Sequence, residues 1–232
     1  MKTVVITGGN KGIGLETTRL FLNSNYEVVV LARDFENFEF KNHKNIKCVN
    51  FNLLNIHKIP ELITNIGSID VLINNAGIML SLPYNNYSSD CIDNIIKVNL
   101  EAPIALINAV SESMITNKSG RIVNNASIAG QIGHPDIWYG VTKAGLINAT
   151  KSYAKILGAH GVLVNAVAAS PTDTEMLATI PEARKNDFKK SVILNRFAKP
   201  EEVAESIFWL GSSSPEYING ICLDINNGSF NR

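Results

Sequence analysis

Short apolar runs recur along this chain, at Thr3 to Thr7, Glu27 to Leu31, Ile46 to Val49, Val71 to Ile73, Arg121 to Asn124, Val162 to Val167 and Ile221 to Asp224. Continuous Val, Ile and Leu of this length predict strands buried on both faces, as in a mostly parallel sheet sandwiched by helices. Segments with helical spacing lie between them, at Leu15 to Asn23, Asp90 to Ile115 and Ala144 to Leu157. The chain opens as strand, glycine-rich loop, helix and strand, which is a βαβ unit and sets the fold class as α/β with a Rossmann-type doubly wound sheet. Periodicity weakens over residues 174–198, where Pro181 and mixed charges predict a mobile substrate lid, with an ordinary surface helix pair as the alternative. Pro200 in Pro-Glu-Glu-Val then starts another helix at a position where its missing N–H costs nothing.

Composition narrows the class without naming a function. The 232 residues, 45% of them hydrophobic, suit one large domain over 1–232. Lys plus Arg and Asp plus Glu both number 21, so no global basic field exists to gather nucleic acid or an anionic membrane. Cys48, Cys91 and Cys222 are too far apart for a zinc motif or a disulfide framework, and read as free thiols with no metal site. No apolar run approaches the roughly 18–20 residues that span a bilayer, and the expected location is the cytoplasm.

Two motifs carry chemistry. Thr7-Gly-Gly-Asn-Lys-Gly-Ile-Gly14 falls between a strand and a helix, where glycines allow a tight turn and the helix N-terminus presents amides to a pyrophosphate. A dinucleotide cofactor follows. The acidic residue that usually binds the NAD ribose is missing at Ala32, and Arg33 and Lys11 can instead meet a ribose phosphate, so NADP(H) is favoured over NAD(H). Asp34 takes the ribose role if the strand register slips, which keeps NAD open. Leu72-Ile-Asn-Asn-Ala-Gly77 ends another strand with small residues that let backbone approach a nucleoside.

Tyr139 and Lys143 stand four apart and share one face of a helix. A phenol near pKa 10 is a poor acid–base group at neutral pH, and a nearby ammonium is expected to pull it down. Ser127, at the end of a strand, can donate to a substrate carbonyl. A nucleophilic serine is disfavoured because no Gly-x-Ser-x-Gly elbow surrounds it.

With TGGNKGIG, NNAG, Asn99, Ser127, YGVTK and the late PEEVA segment in this order, the chain resembles the short-chain dehydrogenase/reductase family over nearly its full length. The resemblance implies a seven-stranded doubly wound sheet and a homotetramer or dimer. It implies Tyr139 as acid/base, Ser127 as the donor that polarises the carbonyl, Lys143 as ribose binder and Asn99 in a proton relay. Gly8, Lys11, Gly12, Ile13 and Gly14 would line the cofactor cleft with Asn75, Ala76 and Gly77, and Thr172 and Thr174 would hold the carboxamide. The chain departs from the family in four places, one of them an interval from Ser127 to Tyr139 one residue shorter than is common. Asn52 replaces an Asp that often contacts adenine, Ala169-Ser170 replaces Pro-Gly beside the nicotinamide, and Asn226-Asn-Gly228 replaces a terminal Asp-Gly-Gly.

His134, Trp138, Met176 and Leu177 flank the catalytic stretch or begin the expected lid, and are the candidate substrate residues. The expected activity is NADPH-dependent reduction of a ketone or aldehyde. Alternatives are oxidation of a secondary alcohol with NAD, reduction of 3-oxoacyl thioesters on acyl carrier protein, and a nucleotide-sensing scaffold without turnover. Arg121 with Lys155 or His160 would meet an acidic carrier.

Overall fold

The computed structural model describes residues 1–178 and 180–231. Strands β1 (Thr3–Thr7), β2 (Glu27–Ala32), β3 (Ile46–Asn50), β4 (Val71–Asn74), β5 (Gly120–Asn125), β6 (Val162–Ala169) and β7 (Cys222–Ile225) form one sheet ordered β3-β2-β1-β4-β5-β6-β7. Every pairing is parallel. The chain runs outward from β1 to β3 and then returns past β1 to β4. That reversal opens a crevice beyond the carboxyl ends of β1 and β4, where ligands of such sheets bind.

Among the described residues the helices are α1 (Gly12–Asn23), α2 (Ile59–Ile66), α3 (Ser89–Ile96), α4 (Ala102–Thr116), α5 (Ile137–Leu157), α6 (Glu175–Ala178), α7 (Glu182–Ser191) and α8 (Pro200–Ser212). Successive strand residues face opposite sides, and here both sides are covered. Val4, Ile6, Val28, Val30, Val71 and Ile73 cluster with Phe21 of α1 and Val203, Ile207 and Leu210 of α8. Val5, Val29, Leu31, Leu72, Ile122 and Val164 cluster with Leu106, Ile107, Val110 and Met114 of α4 and Leu157 of α5. Double coverage explains why the strand sequences are apolar without alternation. Each fully buried side chain of this kind contributes about 1.5–3 kcal/mol.

The element boundaries differ from the sequence reading at several points. The helix expected over residues 90–115 is interrupted by a π-helical turn at Lys97–Glu101, which carries Asn99. α5 begins at Ile137, well before the expected Ala144, because Asp136 caps it. α2 was not expected, although Ile59, Leu62, Ile63 and Ile66 carry its helical spacing. Over residues 174–198 the chain forms the short helices α6 and α7, with Thr179 outside the described residues. Among the described residues no helix is long and apolar enough to cross a membrane.

Candidate active site

The loop after β1 is knitted to the end of β4. Thr7 Oγ1 accepts the amides of Asn75 at 2.9 Å and Ala76 at 3.0 Å, while Asn75 Nδ2 donates to the carbonyls of Thr7 at 3.0 Å and Gly8 at 3.2 Å. Gly8 sits at φ 63°, in the left-handed region that glycine enters without a Cβ penalty. A Cβ on Gly14 would be driven into the Gly8 carbonyl oxygen and to 2.5 Å from Asn75 Nδ2. Helix α1 starts from Lys11 in an extended conformation, with no side-chain cap bond and no acidic residue in its first turn. Its first amides are therefore available to an anion, with the helix dipole in the favourable sense. A bare helix start, a glycine cradle and the adjacent crevice fit the diphosphate of a dinucleotide.

The cations at the nucleotide end are arranged differently from the sequence expectation. Lys11 does not turn toward Arg33: its Nζ meets Glu175 Oε2 at 2.6 Å, across the loop at the start of α6. Glu175 is out of view of local sequence reasoning because it lies 164 residues away. Both partners are exposed, and such pairs contribute about 0–1 kcal/mol. Arg33 is exposed at the end of β2, and its carbonyl accepts from Asn50 Nδ2 at 2.7 Å. Asp34 uses its carbonyl to accept from Asn10 Nδ2 at 3.1 Å. Asn52 is exposed, and its Oδ1 is engaged by the Leu54 amide at 3.1 Å in a local turn.

Ser127, Tyr139 and Lys143 come together beyond the carboxyl end of β5. Lys143 is 4% exposed, donates from Nζ to the Asn125 carbonyl at 2.6 Å, and lies 5.6 Å from the Tyr139 ring centroid. Burial pushes its ammonium down to about 8. Ser127 accepts the Ala129 amide at 3.1 Å and donates to the Ala169 carbonyl at 3.4 Å, so it serves as a turn cap as well as a wall of the site. The Tyr139 phenol is raised, not lowered as the sequence reading expects. Burial is the main cause, the Ser127 hydroxyl offsets part of it, and the charge of Asp136 adds to it. The Lys143 ammonium, directed at the Asn125 carbonyl, is not among the causes.

Asn99 is 1% exposed and locked in place. It accepts the Ile78 amide at 2.8 Å, and donates to the Ile78 carbonyl at 2.8 Å and to Thr142 Oγ1 at 3.2 Å. A Cβ on Gly77 would lie 3.4 Å from Asn99 Oδ1 and 3.6 Å from Lys143 Nζ, so these three residues converge. Beside them, β6 pairs with β7 as far as Ala169, and the Ser170 amide donates to the Ile225 carbonyl at 3.0 Å. Thr172 Oγ1 then donates to the Ser170 carbonyl at 2.9 Å, and a methyl of Thr174 faces Gly12, where a Cβ would lie 3.2 Å from it.

Asp136 is a residue of this site that the sequence reading missed. It is 1% exposed; Oδ2 accepts the amides of Leu80 and Ser81, each at 3.1 Å, and Oδ1 accepts that of Tyr139 at 3.0 Å. Burial alone would raise its carboxyl, but the amides of Tyr139, Ser81 and Leu80 and the nearby Tyr87 hydroxyl hold it below the usual range. Tyr87 is pushed up to about 12 by burial and by that carboxylate. One side chain thus caps the catalytic helix and ties the loop after β4 to it. An Asp three residues ahead of a helical tyrosine is an N-cap signature that could have revealed it.

His134 stands beside the phenol, its ring centroid 5.4 Å from that of Tyr139. Its Nε2 is 2.7 Å from an Arg184 nitrogen, and its Nδ1 is 3.1 Å from the Asp136 carbonyl. Trp138 and Met176 are half-buried on α5 and α6, while Leu177 is turned inward at 7% exposure. The residues suggested for an acidic carrier are not at this site. Arg121 is bound to the Leu210 carbonyl at 3.1 Å, to Ser214 Oγ at 2.7 Å and to the Ser214 carbonyl at 2.8 Å. At about 3.3 Å per residue, roughly 13 Å of strand separates it from Asn125. Lys155 and His160 lie at that same far end, ahead of β6.

Comparison with known proteins agrees with this geometry. The family model for short chain dehydrogenase matches residues 2–185. The chain is 35% identical over 241 residues to a 3-oxoacyl-acyl-carrier-protein reductase of Aquifex aeolicus (strain VF5), covering 99% of this chain and 97% of that one. It is 34% identical over 242 residues to the reductase of the same name from Thermotoga maritima, covering 98% and 97%. Among solved structures, ElxO with NADP bound superposes with a TM-score of 0.90 at 29% identity, over 98% of each chain. A 4-hydroxyisoleucine dehydrogenase complexed with NADH gives 0.92 at 29% identity, over 99% of this chain and 98% of that one. Fold and site together define a nucleotide-binding oxidoreductase, and the chain belongs to the short-chain dehydrogenase family.

Proposed function

We propose that this protein is an NADPH-dependent reductase of ketones or aldehydes. The observation that carries the reading is the convergence of buried Ser127 and Lys143 with half-buried Tyr139 beside the crevice at the end of β1 and β4. The bound nicotinamide would supply hydride to the carbonyl carbon. Ser127 would donate a hydrogen bond to the carbonyl oxygen as negative charge develops there. Tyr139 would then give that oxygen its proton, and a phenol raised by burial stays protonated at neutral pH, the state a donor needs. Lys143 would orient the ribose and offset the charge left on the phenolate. Asn99 would hold the chain at Ile78, and with it Gly77, against the cofactor. Residues 174–198 would act as a lid, for which the contact between Lys11 and Glu175 gives support. The working form would be a homotetramer or dimer.

Neighbours bound to NADP favour the phosphorylated cofactor. A second reading, oxidation of a secondary alcohol with NAD, has a specific support: Lys11 is committed to Glu175, and a neighbour of equal identity is described with NADH. Acyl-carrier-protein reduction is a narrower form of the first reading and draws on the curated relatives. Fluorescence titration of the protein with NADPH and NADH separates the two cofactors. NADPH should bind at least tenfold tighter, about 1.4 kcal/mol, and equal or tighter NADH binding overturns the assignment. Tyr139→Phe should cut turnover of a carbonyl panel by roughly 100-fold or more while leaving cofactor affinity within twofold.

A further inference from the structure

We infer that Arg184 is the anchor for a carboxylate on the carbonyl substrate, so that the enzyme acts on small oxo acids; the inference rests on the reductase reading above. The charges of α7 are mostly paired among themselves. Both acids of that helix are committed to its lysines: Glu182 to Lys185 at 3.4 Å and Asp187 to Lys190 at 3.8 Å. Lys189 lies over the Phe197 ring, 4.8 Å from its centroid. Arg184 is the remaining cation of α7. Among the described residues it forms no ion pair with a carboxylate, and it is half-buried toward the catalytic loop.

Its contact there is an imidazole. His134 Nε2 lies 2.7 Å from the Arg184 guanidinium, which can only donate, while Nδ1 faces both the Asp136 carbonyl at 3.1 Å and the Asp136 amide at 3.2 Å. His134 is thereby held neutral and does not cancel the arginine's charge. Burial lowers its pKa and the guanidinium adds to that, against the Asp136 carbonyl and carboxylate, which raise it. The acid beside His134, Asp136, is already filled by three backbone amides. A guanidinium fork with donors to spare therefore stands one aromatic ring away from Tyr139, since the His134 and Tyr139 rings are 5.4 Å apart. Guanidinium matches a carboxylate with two parallel hydrogen bonds. A substrate spanning that gap would present its carbonyl to Tyr139 and its carboxylate to Arg184, with a short aliphatic spacer against His134.

The test compares levulinate and 5-oxohexanoate with their methyl esters, using NADPH and NADH in turn, in the wild type, Arg184→Gln and Arg184→Lys. The wild type should prefer acid over ester at least tenfold in kcat/KM. R184Q should lower that acid-to-ester ratio at least tenfold, chiefly through KM of the acid, and R184K should restore part of it. A wild type with no preference for the acids, or a ratio that moves less than tenfold in R184Q, overturns the inference. Binding of unreactive pentanoate to the cofactor-loaded protein, followed by calorimetry, gives a readout independent of turnover. Saturable binding weakened at least tenfold in R184Q supports the anchor even where no carbonyl is reduced, an outcome that would sink the reductase reading alone. No binding, or equal binding by both proteins, refutes the anchor.

Discussion

Replacing Asp136 by Asn keeps the side chain's size and removes its charge and one acceptor. In the wild type Oδ2 serves Leu80 and Ser81 and Oδ1 serves Tyr139, each within 3.1 Å. An amide has one oxygen, so its NH2 must face a backbone N–H on one side, donor against donor. If the oxygen keeps the Leu80 and Ser81 pair, one charge-assisted bond is lost and the Tyr139 amide is orphaned. Such a bond contributes about 1.5–3 kcal/mol and an orphaned buried donor costs about 1–3 kcal/mol; since the two overlap, D136N should lose about 2–4 kcal/mol. In a domain of this size each kcal/mol moves Tm by about 2–4 °C, so Tm should fall by roughly 5–15 °C. Thermal and urea unfolding followed by circular dichroism measure both. The pH dependence checks the cause. The folded carboxyl lies below its unfolded value, so its contribution is complete above about pH 4 and is lost as pH falls through the folded value. The gap between wild type and D136N should be flat from neutral pH down to about pH 5 and close in more acid solution. A Tm within 2 °C of wild type, or a gap that does not close in acid, refutes the reasoning.

Gly14→Ala should weaken NADPH binding by roughly 100-fold or more and lower stability, because its Cβ collides with the Gly8 carbonyl oxygen, which is backbone and cannot step aside; affinity within fivefold of wild type, by fluorescence titration, would show that the loop has another route. Lys143→Met tests the buried ammonium. The folded value of Lys143 is lowered to about 8 by burial, so in the wild type the desolvation cost is fully present below that pH and disappears as pH rises toward the unfolded value. The stability of K143M relative to wild type should therefore drop by roughly 1–3 kcal/mol between pH 7 and 10. Urea denaturation at the two pH values reads this, and a constant difference would mean that Lys143 does not titrate in that window.

Much of this architecture was legible before any coordinate. The strands could be read because their side chains face helices on both sides, which leaves a local signature of consecutive Val, Ile and Leu at β1 and β2. The glycine loop could be read because backbone sterics act within a few residues, and the pairing of Tyr139 with Lys143 because helical spacing is local too. What stayed hidden was decided over long separations. The role of Asp136 is set where its carboxylate meets the Leu80 amide, 56 positions away. The partner of Lys11, Glu175, lies 164 positions away, and Arg184 had no visible role until α7 set it against His134. The phenol of Tyr139 shifted opposite to expectation because burial outweighs the Ser127 hydrogen bond, and the Asp136 charge pushes the same way as burial. Local sterics and periodicity determined the sheet, the loop and the catalytic face. Only the tertiary structure decided which charges are paired, buried or free, because electrostatics and desolvation depend on neighbours that the chain order does not disclose.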